Sequence, residues 1–193
     1  MAFTDYKSIA QVQEEYHIKY EERNFINYTD LTPSDKFIED LDFNMDNIDV
    51  FSSEASRCEN VIYPVLREIY KGFTNKYTLW SHKSISVDSK LTGTPDYLIS
   101  TKSELGKTVL GLPIFVVVEA KQNNFIEGWG QCLAELVAVQ KMNKNEDSIH
   151  GIVTDGELWQ FGKLQANLFT KHKERITITN LDKIFGAIGY LFT

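Results

Sequence analysis

The sequence predicts an α/β fold in which a mixed central β-sheet is flanked by helices. Residues 114–118 are a continuous run of β-branched and aromatic side chains, which is typical of a strand buried on both faces. On both sides of that run, helical and strand-like patterns follow one another along the chain. Such an order indicates a sheet with helices packed on its faces.

The first fifty residues differ from the rest of the chain. Ile9, Val12 and Tyr16 have helical spacing, and Thr32-Pro33-Ser34 has the composition of a helix start. The acidic residues 40–49 indicate a connection. We therefore expect a mainly helical N-terminal extension, residues 1–50, packed on a core domain, residues 51–193.

Residues 51–71 have the strongest helical pattern in the first half, because their apolar side chains fall on one face at about 100° per residue. Ser52 or Ser53 is a suitable N-cap, and Pro64 should bend the helix. Short strands are predicted at 77–80 and 84–87, and a further strand begins at Pro95-Asp96.

The second half of the chain completes the sheet. Asp155-Gly156 lies between two apolar runs, which favours a hairpin of two antiparallel strands. The remaining predicted elements are a helix over 125–142, one or two strands within 167–179 and a closing helix over 181–191.

The composition limits the possible functions. Hydrophobic residues make up 42% of the chain, which excludes a disordered protein. Lys and Arg number 20 against 27 Asp and Glu, so the net charge is −7 and the overall field repels polyanions. A role with nucleic acid therefore requires a local basic surface or a bound divalent metal.

Cysteine usage and hydropathy indicate a cytoplasmic protein. Cys58 and Cys132 lie in predicted helices, without metal-ligand spacing or a disulfide framework. No basic start precedes an apolar segment at the N-terminus, and no apolar stretch approaches the length of a membrane span. We expect no membrane partner.

The most informative local pattern follows the buried strand, where Glu119-Ala120-Lys121 begins. Positions i and i+2 of a strand face the same side, so a carboxylate and an ammonium are presented together. If the strand behind Asp96 is a neighbour, Asp96 and Glu119 can converge on one divalent cation, with Lys121 beside it. An ordinary ion pair at a strand end is the simpler alternative.

These residues resemble the motif of the PD-(D/E)xK nuclease superfamily, which has the restriction-endonuclease-like fold. Pro95-Asp96 matches the first half, Glu119-Ala120-Lys121 the second, and Gln131 the glutamine that many members carry in the next helix. Residues 53–66 and 151–159 also look like the first helix and late hairpin of the nuclease domains in type I restriction subunits. The resemblance covers about residues 51–165.

The resemblance implies hydrolysis of phosphodiester bonds in DNA with Mg²⁺, or with Mn²⁺ as a substitute. Asp96 and Glu119 would be the metal ligands, and Lys121 would orient the attacking water and stabilise developing negative charge. Gln131 would hold the lysine, a water or a phosphate, with a solvent-facing side chain as the alternative. Glu54 is a further candidate ligand, against a simple role at the start of its helix.

Other charged residues and the histidines have less specific interpretations. Lys171, Lys173 and Arg175 are predicted to share one face of a strand, which is either a DNA-contacting surface or a solvated edge. Glu135 is predicted to be solvated or ion-paired. The four histidines are dispersed, so a histidine-based metal site is not supported.

Two alternatives to a nuclease remain open at this point. One is an inactive nuclease-fold module that binds DNA or protein as an accessory in a defence or mobile-element system. The other is an unrelated α/β protein whose motif is accidental. The complete motif favours activity, whereas the net acidity favours the binding module. A homodimer and a partner subunit are both compatible with the sequence.

Overall fold

A computed structural model describes residues 2–193 of the protein. Its helices and strands, in chain order, are α1 (Ile9–Tyr16), β1 (Lys19–Glu22), α2 (Asp35–Asn47), α3 (Glu54–Arg57), α4 (Tyr63–Tyr70), β2 (Tyr77–Ser81), β3 (Ile85–Ser86), β4 (Thr92–Gly93), β5 (Tyr97–Thr101), β6 (Ile114–Ala120), α5 (Phe125–Asn143), β7 (Ile149–Thr154), β8 (Leu158–Gln165), β9 (Leu168–Lys171), β10 (Ile176–Thr177) and α6 (Leu181–Tyr190).

Within residues 2–193, eight strands form one mixed sheet. Seven follow the order β1-β9-β8-β7-β6-β5-β2, β10 pairs with β8, and β3 and β4 form a separate two-stranded sheet. Strand β6 is parallel to β7 and antiparallel to β5, so the apolar run lies inside the sheet as predicted. The predicted fold class, a mixed central sheet flanked by helices, is confirmed.

Helices cover both faces of this sheet. Val116 and Val118 of β6 pack in a core with helices α2, α4 and α6, whereas Val117 packs on the other face with α1 and α5. Because successive side chains of a strand point to opposite faces, a strand between two helical layers must be apolar at every position. This requirement explains the uninterrupted apolar run.

The N-terminal segment is mainly helical, as expected, but it also enters the sheet. Ser8 and Ser34 cap α1 and α2 through their side-chain oxygens. Strand β1, which the sequence patterns did not predict, pairs in parallel with β9. The acidic segment 40–49 was expected to be a connection; instead α2 continues to Asn47, because its apolar face buries Leu41. The boundary at residue 50 stays a prediction.

A π turn over Cys58–Ile62 lies between α3 and α4, directly before Pro64, and the predicted bend of the helix stays a prediction. Proline has no N–H to donate to the carbonyl oxygen four residues earlier, on Asn60. The side-chain nitrogen of Asn44 donates to that oxygen instead, at 3.1 Å. Ser53 is the N-cap, one of the two serines predicted for this role.

The C-terminal half forms the predicted hairpin and closing helix. Strands β7 and β8 are antiparallel, and the Asp155 carboxylate accepts from the N–H groups of Glu157 and Leu158 at 3.0 and 2.7 Å. Gly156 has φ +87°, a left-handed conformation that this turn requires and that glycine tolerates.

Two further expectations can be compared with the described residues. Cys58 and Cys132 are buried free thiols, in agreement with the predicted absence of a disulfide framework. No helix within residues 2–193 has both the length and the hydropathy needed to span a membrane. The cytoplasmic location stays a prediction.

Candidate functional site

The backbone register brings Asp96 close to Glu119. In the antiparallel pair of β5 and β6, Tyr97 lies opposite Val118, so Asp96 and Glu119 are next to each other at the same end of the two strands. The Asp96 Oδ2 accepts a hydrogen bond of 2.7 Å from the backbone N–H of Ala120. The two halves of the predicted motif therefore meet at one edge of the sheet.

Glu119 and Lys121 form an ion pair at this edge, with 2.7 Å between Nζ and Oε1. The glutamate side chain is 2% exposed and the lysine side chain 19%. The other glutamate oxygen, Oε2, is buried and has no hydrogen-bond partner within residues 2–193. The Glu119 carboxyl group also interacts with the buried side chain of Glu135.

Helix α5 holds the lysine in place. A Cβ atom on Gly128 would lie 2.9 Å from the Lys121 Cγ and 2.8 Å from a methyl group of Val153, so only glycine allows this approach. The backbone N–H of Lys121 donates to the Thr154 carbonyl at 2.9 Å. The lysine is therefore fixed from the strand side and from the helix side.

A third acidic residue belongs to this cluster, and the sequence interpretation of it was wrong. Glu135 was expected to be solvated or ion-paired, but it is 0% exposed, and its Oε2 has no hydrogen-bond partner in the described chain. The Gln131 amide donates to the Glu135 Oε1 at 3.2 Å. Gln131 is itself buried, so its solvent-facing alternative is excluded, and its amide contacts Glu135.

Burial dominates the electrostatics of the three carboxyl groups. Burial and then the negative charge of Asp96 raise the pKa of Glu119 above its ordinary value, although Lys121 opposes the shift. Burial and then the charge of Glu119 raise the pKa of Glu135. Burial also raises the pKa of Asp96, against the hydrogen bond from Ala120. All three pKa values therefore shift toward the protonated form, and Lys121 and the Ala120 N–H act in the opposite direction.

The lysine stays protonated in this setting. Burial alone would lower the pKa of Lys121, but the carboxylates of Glu119, Glu54 and Asp96 outweigh that effect, and the pKa lies above its ordinary value. Lys121 is therefore a fixed positive charge at neutral pH.

Asp96 also lines an open cleft of about 560 Å³. Glu54 is an exposed residue of α3 on its wall, so it faces the same space as Asp96. His82, which the sequence interpretation set aside, lies opposite Asp96, with 3.5 Å between its Nε2 and the Asp96 Oδ1. No sequence pattern links these two residues, because their proximity arises from the pairing of β2 with β5.

The donor set suits a hard divalent cation that keeps part of its hydration shell. Mg²⁺ is commonly bound by one or two carboxylates together with waters and substrate phosphates. Asp96 and Glu119 would supply the two carboxylates, and because a ligand must be deprotonated, metal binding would require Glu119 to lose the proton that its raised pKa favours. Among the described residues, no group of three or more His, Cys, Asp or Glu side chains has the geometry of a metal site. A role of Glu54 as a ligand stays a prediction.

The predicted arrangement of basic residues was wrong. Lys171 ends β9, and Lys173 and Arg175 lie in the connection before β10, so the three do not share a strand face. Buried His172 fixes this connection, because its Nδ1 accepts from the backbone N–H of Phe25. Strand β9 is also not a sheet edge, since β1 covers it.

Comparisons with known proteins bear on the fold alone. No protein-family model and no curated protein sequence matches the chain. Its fold is similar to a chain in the cryo-EM structure of the DrdV–DNA complex, with a TM-score of 0.48 and 13% sequence identity. The match covers 82% of this chain and 14% of that chain.

Proposed function

We propose that this chain is a Mg²⁺-dependent nuclease that hydrolyses phosphodiester bonds in DNA, with Mn²⁺ as a substitute metal. The observation that supports this function most strongly is the convergence of Asp96, Glu119 and Lys121 at one end of β5 and β6. Two carboxylates supply ligands for a hard cation, and the ammonium supplies a positive charge for a phosphate.

Asp96 and Glu119 would hold the metal ion. When bound, the ion would polarise the phosphate and offset the charge added in the transition state. Glu135, buried beside Glu119 and contacted by Gln131, would act as a positioning residue for the Glu119 carboxylate.

Lys121 would act directly on the reacting groups. Its raised pKa keeps it protonated, so it donates hydrogen bonds and accepts no proton at neutral pH. In this role it orients the attacking water and stabilises the phosphate oxygen that gains charge. Its restraint by Gly128 and Thr154 means that little reorganisation is needed for this contact.

The net charge of −7 determines how the protein should bind DNA. A bound dication reverses the local field at the carboxylates, and Lys171 and Arg175 add a small basic region. Most of the excess acidic residues lie elsewhere. We expect weak, metal-dependent DNA affinity that is higher with the metal than in EDTA and that decreases steeply with salt.

One observation favours a second function, an inactive nuclease-fold module that binds DNA or protein. Glu119 is almost fully buried and already paired with Lys121, and no three-ligand cluster accompanies it in the described chain. A chain that kept the fold without binding a metal would have these features. Assembly as a homodimer or with a partner subunit is compatible with both functions.

Cleavage of supercoiled, linear and single-stranded DNA with Mg²⁺, Mn²⁺ or EDTA tests the proposal. We expect metal-dependent cleavage by the wild type and a loss of at least about 100-fold in Asp96→Ala and Lys121→Ala. Lys90→Ala is the matched control, because Asp88-Ser89-Lys90 has the same spacing and Lys90 pairs on the surface with Glu15.

The outcomes separate the two functions. Equal cleavage by wild type, Asp96→Ala and Lys121→Ala would exclude this site as its source. No cleavage of any substrate by the wild type, together with retained DNA binding, would establish the binding module.

A further inference from the structure

A second pocket, which we call the α5 pocket, lies beside the first turns of α5, next to the candidate site. Its volume is about 440 Å³, within the range of small-molecule sites. The apolar part of its wall is formed by Ile9, Phe125, Ile126 and Leu158. Ile126 is 72% exposed, so an apolar side chain at the opening is available to a ligand.

Two cations lie in the wall of the α5 pocket. Lys171 and Arg175 both line it, and the Lys171 Nζ is 5.4 Å from the centre of the Trp129 ring. Neither forms an ion pair within residues 2–193, although Glu22 lies opposite Lys171 in the strand register. Burial and the neighbouring Arg175 lower the pKa of Lys171, as expected for a cation without a close counter-ion. Two adjacent cations of this kind favour an anionic ligand.

The inner wall of the α5 pocket carries a hydrogen-bond donor. Gln160 is 3% exposed, and its Oε1 accepts from the indole N–H of Trp129 at 2.9 Å. An indole nitrogen is only a donor, so this bond fixes the amide orientation. The NH₂ group of Gln160 has no hydrogen-bond partner in the described part of the chain and can donate to a ligand acceptor.

The α5 pocket is adjacent to Lys121 through the first turns of the helix. Phe125 and Trp129 line the pocket, and Gly128, between them, is the residue on which the Lys121 stem packs. A strand whose phosphate reached Lys121 would therefore place a neighbouring nucleotide close to this pocket.

We propose that the α5 pocket binds one unpaired nucleotide of a DNA strand. Its base would pack on the apolar wall and accept a hydrogen bond from the Gln160 NH₂ group, while its phosphate contacts Lys171 and Arg175. A nucleotide combines the three properties of the pocket, since it has an apolar planar ring, an acceptor on the ring edge and an adjacent anion. This inference rests on the proposed function, because it assumes that DNA is the substrate.

Binding of short single-stranded oligonucleotides in EDTA tests the inference without cleavage. One oligonucleotide carries 2-aminopurine, whose fluorescence reports base packing, and a second of the same length has an abasic position there. We expect the wild type to bind the first at least about fivefold more tightly, because base contacts contribute on the order of one kcal/mol or more.

Variants locate the binding in the α5 pocket. Lys171→Met should weaken binding about tenfold or more, and Ile126→Ser should weaken it without affecting folding because Ile126 is exposed. Gln160→Glu keeps an oxygen for Trp129 but replaces the donor by an acceptor, so it should also weaken binding. Lys163→Met is the matched control: Lys163 is also a partly buried lysine over an aromatic ring, Phe25, and it does not line the pocket.

Equal affinity for the two oligonucleotides, or unchanged binding by Lys171→Met and Ile126→Ser, would overturn the inference. The proposed function is measured separately by metal-dependent cleavage. Cleavage that persists without base-dependent binding overturns only the α5 pocket. Base-dependent binding without any cleavage supports the pocket and overturns only the nuclease activity.

Discussion

Replacement of Lys121 by methionine should destabilise the fold by an amount that increases with pH. The lysine Nζ lies 2.7 Å from the Oε1 of Glu119, which is almost fully buried. Methionine keeps an apolar stem against Gly128 but removes the cation. Loss of one partner from a buried ion pair costs about 3–5 kcal/mol when the other stays charged. Because Lys121 is partly exposed to water, we expect about 2–3 kcal/mol.

Protonation of Glu119 limits this loss at low pH. Burial and Asp96 already raise the pKa of Glu119, and removal of Lys121 raises it further. Below the pKa that Glu119 has in the unfolded chain, its carboxyl group is neutral in the folded and the unfolded state, so removal of Lys121 leaves no unpaired buried charge. Up to the wild-type folded pKa of about 8, the wild type and the variant both hold the proton in the folded state, so their free energies of unfolding fall in parallel as pH rises. Above it the wild-type carboxyl ionises beside Lys121 while the variant keeps its proton, so the variant loses up to about 1.4 kcal/mol more per pH unit until its own folded pKa is reached.

Urea unfolding in EDTA of wild type, Glu119→Gln, Lys121→Met and the double variant measures the coupling energy of the pair. We expect less than about 0.5 kcal/mol near pH 5 and up to about 1.4 kcal/mol near pH 9, one pH unit above the Glu119 pKa of about 8. Lys90→Met, in an exposed surface pair, should leave the free energy of unfolding nearly unchanged at both pH values. A coupling energy that is the same at both pH values would refute the assignment of Glu119 as the buried charge that Lys121 stabilises.

Three further changes test other parts of the structure. Gly128→Ala would place a methyl group 2.9 Å from the Lys121 Cγ, so metal-dependent cleavage should fall at least about tenfold. Stability should change by less than about 2 kcal/mol, because the higher helix propensity of alanine offsets part of the strain. Gly72→Ala, whose Cβ would meet nothing within 4 Å, is the control, and full activity of Gly128→Ala would contradict the position of the lysine. Burial lowers the pKa of His150 from 6.5 to about 4, so the stability that its neutral form contributes is present above pH 6.5 and is lost as pH falls. In urea unfolding, the wild type should lose up to about 3 kcal/mol relative to His150→Gln between neutral pH and pH 4. A difference in unfolding free energy that stays constant over this range would exclude this burial effect. Asn44→Ala removes the side-chain donor to the Asn60 carbonyl oxygen, to which Pro64 cannot donate. Thermal unfolding should show a loss of about 1 kcal/mol, and unchanged stability would show that this hydrogen bond contributes nothing.

Much of the fold follows from local sequence patterns. Three signals depend only on residues that are neighbours in the sequence: the apolar run 114–118, the Asp155-Gly156 turn and the serine N-caps. Each therefore predicts its element without knowledge of the rest of the fold. The proximity of Asp96 to Glu119 required one additional assumption, that their strands are neighbours. The register of β5 with β6 meets that assumption.

Other features depend on contacts between distant parts of the chain. Glu135 is buried because its side of α5 packs on the sheet beside Glu119, while the N-terminal segment covers another side of the helix, where a Cβ on Gly130 would lie 2.5 Å from the backbone nitrogen of Ser8. Helical periodicity assigns such a residue to a solvent face, since it assumes that only one side of a helix is covered. The same limit applies to the basic residues, because β1 covers β9 and His172 redirects the chain after Lys171.

Short-range periodicity and residue type were thus sufficient to predict the α/β class, the central strand and the motif of Asp96, Glu119 and Lys121. Three features could be found only in the folded protein: His82 lies beside Asp96, Glu135 is a buried neighbour of Glu119, and Lys171 and Arg175 line a pocket. They depend on burial and strand register, which are set by long-range packing. The same local pattern can be exposed or enclosed, depending on which segment packs over it.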